Sequence, residues 1–300
     1  MSAKTEPGVK LKSPCRSIRF LLVVLLLLWL NIAEARQLFY LGQAIPDIQR
    51  PWSSGDYQHL IEALQQVNKT QANALPKRSG EFTGPIYRRM VSTENLQAQL
   101  NIYRPLESRQ HEAREALFQL KELMRLYFDF TATKQPYAAE ALGLMSYSLN
   151  QQAVLFTLTT EFWMSLSPSE QRNPVRLNGL TETKAGAALL TKSALDYLGL
   201  TQQFARADLV LYSAELSKQL PSLFVHLSND TRQQLLQRIN LIAKSHTYPA
   251  VRSNFASLQP VLVALQDDMQ KQISASNRRP DGHKRKQQLS LDLSTSDLPF

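Results

Sequence analysis

The chain has 300 residues, one cysteine and a formal net charge of +9 at pH 7. The lone cysteine, Cys15, excludes a disulfide framework, so stability has to come from a hydrophobic core, which a chain this long can bury. Much of the basicity sits at the two ends. The first 35 residues hold Lys4, Lys10, Lys12, Arg16 and Arg19 against Glu6 and Glu34, leaving the rest at +6. The body is therefore only mildly basic, which argues against a nucleic-acid partner.

The chain opens with a basic stretch, then eleven apolar residues (Phe20–Leu30), then Ala33-Glu34-Ala35. That order predicts a secretory signal peptide cleaved after Ala35. The run is shorter than the ~20 residues a spanning helix needs. If it is kept, residues 20–35 form a short anchor with the body outside the cytoplasm. Export to a periplasmic or extracellular space is the expectation, and Cys15 lies before the run, misplaced for a lipoprotein acceptor.

Residues 36–104 read as irregular, broken by Pro46, Pro51, Pro76 and Pro85 and by Gly42, Gly55, Gly80 and Gly84. One helix fits, with Ser54 as cap and Tyr57, Leu60, Ile61, Leu64 and Val67 on one face. Residues 80–89 read as a turn at Gly84-Pro85 followed by an extended piece. A segment this long either packs over the rest or is partly mobile.

From Pro105 the pattern is helical. Ala113, Leu117, Leu120, Met124 and Tyr127 recur at spacings of 4 and 3, as do Leu142, Met145, Leu149, Gln152, Phe156, Thr159 and Trp163. Later stripes run through Ala187, Leu190, Ala194 and Tyr197, then Leu209, Tyr212, Leu216 and Leu220, then Leu235, Ile239 and Ile242. Val251, Phe255, Leu258, Leu262, Leu265 and Met269 form the last. This period predicts an all-α fold: an antiparallel bundle of about six helices over 105–273. Pro136, Pro174, Gly199, Pro221 and Pro249 mark the breaks, Pro260 a kink, and Asn229-Asp230 the cap of the fifth helix. The segment 154–160 looks like a strand, but the stripe through Phe156 and Trp163 crosses it. Residues 274–300 are polar, basic and then Ser/Asp-rich, which predicts a disordered tail.

Motifs for chemistry are sparse. His111 to Glu115 holds half of a zinc-protease pattern, with Glu115 where the second His belongs. His59-Leu60-Ile61-Glu62 has the spacing of a carboxylate-bridged metal bundle but lacks a second copy. The expectation is no metal and no cofactor. There is no Gly-rich phosphate loop and no Gly-x-Ser-x-Gly elbow, which weakens the case for an enzyme. Asn68-Lys69-Thr70 and Asn229-Asp230-Thr231 match glycosylation acceptors and read as chance.

Arg125-Leu126-Tyr127-Phe128-Asp129-Phe130 resembles the Arg-x-x-Phe-Asp-Tyr signature of the steric chaperones of bacterial secreted lipases. That resemblance implies a helical, periplasmic, membrane-anchored chaperone. It covers six residues, with Phe130 in place of Tyr, and the family's Ala/Pro-rich linker is missing. No residue role is carried over from it.

Two groups of residues remain as candidates. Gln152 and Thr159 place polar groups inside an apolar stripe. With Glu161, and with Tyr147 and Trp163 as walls, they outline a polar pocket in the bundle core. Tyr87, Arg88, Arg89, Tyr103 and Arg104 interleave aromatics and arginines, a chemistry suited to partner binding. In the tail, Arg278, Arg279, Lys284, Arg285 and Lys286 suit an anionic surface. The leading expectation is a binding or accessory protein contacting another envelope component. The alternatives are a small-ligand carrier or enzyme with its site in the core, and the lipase-chaperone role.

Overall fold

The computed structural model describes residues 39–40, 42–66, 75–131 and 137–277. The chain divides into two units, Met1–Asp47 and Ile48–Phe300. In the first, β1 (Phe39–Tyr40) pairs antiparallel with β2 (Gln43–Ala44), with Phe39 opposite Ala44. Gly42 turns the hairpin at φ +80°, open to a residue without a Cβ. The leader, residues 67–74 and residues beyond Asn277 lie outside the described residues, and with them the expectations on cleavage, on Asn68 and on the basic cluster of the tail.

The second unit is all-α. It comprises α1 (Ser54–Gln65), α2 (Thr83–Met90), α3 (Thr93–Gln99), α4 (Leu106–Thr131) and α5 (Ala138–Ser165). The single turn α6 (Pro168–Gln171) follows, then α7 (Pro174–Asp196), which tightens into a 3₁₀ turn at Tyr197–Gly199. Last come α8 (Arg206–Phe224), α9 (Asn229–Ser245) and α10 (Pro249–Asn277). Six long helices from α4 onward match the expected bundle.

α5 is the central helix, packing against α3, α4, α7 and α8. Its sequence explains that position. Ala141, Leu144, Tyr147, Leu155 and Leu158 are buried alongside the expected stripe, so the helix is apolar on most sides rather than along one. Such a helix belongs inside. The β-branched stretch 154–160 is helical because this burial outweighs its weak strand preference. α9 and α10 form a hairpin whose stripe, Val251, Phe255, Leu258 and Leu262, is buried against α8 and α9. Leu265 and Met269 are only half-buried, so the stripe fades toward the end of α10.

Several boundaries differ from the sequence reading. The 80–89 segment is helix α2, not an extended piece. Pro85 falls in its first turn, where a missing N–H costs nothing. Ser53, not Ser54, caps α1: the Asp56 carboxylate accepts from the Ser53 N–H at 2.8 Å and its hydroxyl at 2.7 Å. Ser228, not Asn229-Asp230, caps α9, accepting from the Thr231 N–H at 3.2 Å. Pro221 sits inside α8 rather than ending it, because Leu220, Leu223 and Phe224 are all buried and hold the last turn in place. α10 continues through Pro260 and ends at Asn277, so residues 274–277 are helical.

The N-terminal helices pack over the bundle. α1 lies on α4, and α3 touches both α4 and α5. Tyrosine hydroxyls make much of the attachment. Tyr127 donates to Pro76 O at 2.6 Å, Tyr87 to Glu140 O at 2.9 Å, and Tyr137 accepts from the Leu75 N–H at 3.0 Å. The Glu140 carboxylate accepts from the Arg78 N–H at 2.7 Å.

Candidate functional site

α5 carries all five residues proposed for the core pocket, yet they face different neighbours. Tyr147 belongs to a buried network under α1 and α3. Its hydroxyl donates to Ser92 O at 3.1 Å and lies 3.3 Å from that of Tyr57, whose single hydrogen goes to Met90 O at 2.7 Å. Asn95 closes the network, giving Nδ2 hydrogens to Tyr57 Oη (2.9 Å) and Arg89 O (2.7 Å) and accepting the Trp52 N–H (2.8 Å). Burial pushes the Tyr147 hydroxyl up to about 12 and raises Tyr57 well above its ordinary value. Both stay neutral at physiological pH, so the network is a structural joint that pins the N-terminal helices to α5. Asn95 carried no signal in the sequence, since two of its three partners, Trp52 and Tyr57, lie 43 and 38 positions away.

Thr159 and Glu161 face the start of α4. Thr159 Oγ1 accepts from Gln110 Nε2 at 3.2 Å, and the half-exposed Glu161 pairs with buried Arg109 at 3.3 Å. Arg109 also donates to Arg104 O at 3.1 Å. Trp163 is buried, its carbonyl accepts from Gln171 Nε2 at 2.9 Å, and its indole N–H meets no acceptor among the described residues. These contacts brace the end of α5 where α4 and α6 begin.

Gln152 is different. It is 1% exposed, and its Nε2 donates to no acceptor among the described residues. It lines an open cleft of about 270 Å³ between three helices. α4 supplies Arg114, Leu117, Phe118 and Lys121 to the walls. α5 adds Gln152 and Leu155, and α7 adds Gly179, Glu182, Thr183 and Gly186. The two glycines keep α7 from filling the space: a Cβ at Gly179 would meet nothing within 4 Å, and one at Gly186 would lie 3.9 Å from Gln152 Oε1. Thr183 gives its hydroxyl hydrogen to Gly179 O, and Glu182 accepts from Asn178. The neighbouring Gln151, also buried, donates instead to Gln99 Oε1 and Ala113 O, a joint between α3, α4 and α5.

The arginine–aromatic group is not one surface. Tyr87 is buried, and Arg89 donates to Ile48 O at 2.8 Å and pairs with Glu94. Arg88, Tyr103 and Arg104 remain exposed. The turn between α3 and α4 holds Ile102 77% and Tyr103 91% exposed. That turn is fixed by Asn101, whose Oδ1 accepts the Tyr103 N–H at 3.0 Å and whose carbonyl accepts the Arg104 N–H at 3.1 Å. Sequence reading did not single out Ile102, although its place beside Tyr103-Arg104 was visible.

His111 and His59 lie on exposed helix faces. Among the described residues, no group of three or more His, Cys, Asp or Glu is placed to hold a metal ion. Glu112, between His111 and Ala113, instead accepts from the Ser54 N–H and hydroxyl at the start of α1. In the segment that resembles the lipase chaperones, Tyr127 is buried, Phe128 stacks on Tyr197 at 4.9 Å, and Arg125 is exposed beside Glu122. Among the described residues, no helix is long and apolar enough to cross a membrane. Comparison of the chain with protein-family models, with curated proteins and with solved structures finds no match in any of the three.

Proposed function

We propose that this chain is an exported helical binding or accessory protein that contacts another envelope component through the turn between α3 and α4. The observation that carries the reading is the state of Ile102 and Tyr103, two large side chains held in water on a hydrogen-bonded turn. Arg104 flanks them, and Tyr and Arg are the residue types that most often anchor interfaces. A rigid turn loses little conformational entropy on docking. The polar side chains of the core support the same reading, because most of them join one helix to the next rather than opening on a common space.

The test compares the full chain with an Ile102→Ser/Tyr103→Ser variant as baits in envelope extract, after circular dichroism has matched their helicity. A component retained by the wild type and lost by the variant supports the reading. Equal retention by both counts against the turn. The export half is tested separately by N-terminal sequencing of the exported protein, which should begin at Arg36. Recovery of the chain in the cytoplasm with Met1 intact would overturn it.

A further inference from the structure

We infer that the cleft between α4, α5 and α7 is a binding site for a small amphipathic monocarboxylate, such as a medium-chain fatty acid. This site is separate from the turn at Ile102 and Tyr103, and the two can fail independently.

The argument starts from Gln152. A buried amide donor without an acceptor costs about 1–3 kcal/mol, so native cores rarely keep one. Leucine would fill the same place on the α5 stripe without that cost. Nε2 of Gln152 has no acceptor among the described residues, and the side chain lines a space that a ligand can enter. The group that would complete it is therefore a hydrogen-bond acceptor.

The rim indicates the charge of that acceptor. Arg114 and Lys121 line the same cleft, both are exposed, and neither makes an ion pair among the described residues. The acid in the cleft, Glu182, already accepts from Asn178 at 2.8 Å. The donors on offer are thus one neutral amide and two cations. The cations stand seven residues apart on α4, about 10 Å along the helix axis. One compact group cannot meet both, which disfavours a dianion clamped between them. A single carboxylate fits: it accepts from Gln152 Nε2 and faces one of the two cations.

The walls indicate the rest of the ligand. Leu117, Phe118 and Leu155 are apolar, and Phe118 is 57% exposed beside the cleft. An alkyl chain laid on them leaves water at about 0.8 kcal/mol per methylene. Gly179 and Gly186 provide the room on the α7 side. A volume of about 270 Å³ lies just below the usual range for small-ligand pockets, so the chain is short rather than of membrane length.

Isothermal titration of the full chain with three eight-carbon probes tests the inference: octanoate, octanol and octylamine. Octanoate should bind saturably, and the neutral and cationic probes should bind at least about tenfold more weakly, as loss of one charge-assisted hydrogen bond implies. Gln152→Leu should abolish octanoate binding while the melting temperature of the unliganded protein stays at or above that of the wild type. A merely structural glutamine would lower it. Arg114→Gln and Lys121→Gln are surface changes that leave the fold intact. At least one should weaken octanoate several-fold, and added salt should weaken the wild type in the same way. No saturable octanoate binding, equal binding of all three probes, or octanoate binding indifferent to Gln152→Leu would each overturn the inference.

Discussion

Gly143 lies in the second turn of α5, and helix propensity and packing make opposite predictions for it. Replacing glycine by alanine inside a helix stabilises it by about 1 kcal/mol. In this fold a Cβ at position 143 would overlap the hydroxyl of Tyr87 and lie 3.5 Å from the ring carbon that bears it. Tyr87 cannot swing away cheaply. It is 3% exposed, its ring packs edge-on against Tyr127, and its hydroxyl donates to Glu140 O at 2.9 Å. Displacing that hydroxyl forfeits a buried hydrogen bond, about 1–3 kcal/mol, and overpacking adds a further ~1–3 kcal/mol. After the gain in propensity, Gly143→Ala should still lose about 1–5 kcal/mol. In a Tyr87→Phe background the obstructing oxygen is gone, and the nearest remaining atom sits at ordinary van der Waals distance. There the same substitution should be neutral or stabilise by up to about 1 kcal/mol. Urea denaturation of the four proteins, followed by circular dichroism with equal m-values, measures the coupling. A Gly143→Ala protein with a raised midpoint, or an equal loss in both backgrounds, would refute the placement of α2 against α5.

Other perturbations read other joints. Leu149→Ala, at 2% exposure on the central helix, should cost about 2–5 kcal/mol in the same assay, and Leu120→Ala on α4 a similar amount. Arg232 is 1% exposed and donates to Gln266 Oε1 and Leu227 O, both at 2.7 Å. Arg232→Ala orphans both acceptors and should lower the unfolding free energy by about 2–5 kcal/mol, whereas an exposed arginine such as Arg125 should tolerate the change. Burial of His226, which stacks on Phe156 at 4.6 Å, holds its pKa below the usual 6.5. The unfolded chain then takes up the proton first on acidification. Its stabilising contribution is complete above about pH 6.5 and falls as pH drops toward the lower folded value. His226→Phe should flatten the stability profile in that window, and an unchanged slope would place the titration elsewhere. Asp56 behaves with the sign of a depressed carboxylate: burial works to raise it, but hydrogen bonds from Arg50 and Ser53 and the Arg50 charge hold it low. Asp56→Asn should therefore lose stability at pH 7 and little below the ordinary carboxylate range, as thermal melts at the two pH values would show.

The parts of the fold legible in the sequence are those set by one helix's own periodicity. Leu120, Leu149, Leu216 and Phe255 fall on stripes of 3 and 4, and each is buried where its stripe says. The parts that stayed hidden depend on partners far along the chain. Gly84-Pro85 reads as a turn because its local signals fit a turn and the first turn of a helix equally well. What makes it helical is the burial of Ile86, Tyr87 and Met90, including contacts with residues more than fifty positions away. Val225 follows a proline-containing turn that local rules would end at Pro221, and the buried residues around that proline override them.

The candidate pocket divides along the same line. Gln152 and Thr159 were visible as polar residues on an apolar stripe, but a stripe does not say whether a partner waits across the gap. For Thr159 one does, Gln110 on α4 at 3.2 Å. For Gln152 the facing helix offers the glycines Gly179 and Gly186, while its polar Thr183 and Glu182 bond within α7, to Gly179 O and Asn178. Two glycines inside a 23-residue helix cost about 1 kcal/mol each in propensity. They leave an amide donor beside an unfilled cleft. The unpartnered amide and the glycines opposite it are the same feature seen from two helices, and neither α5 nor α7 reveals it alone.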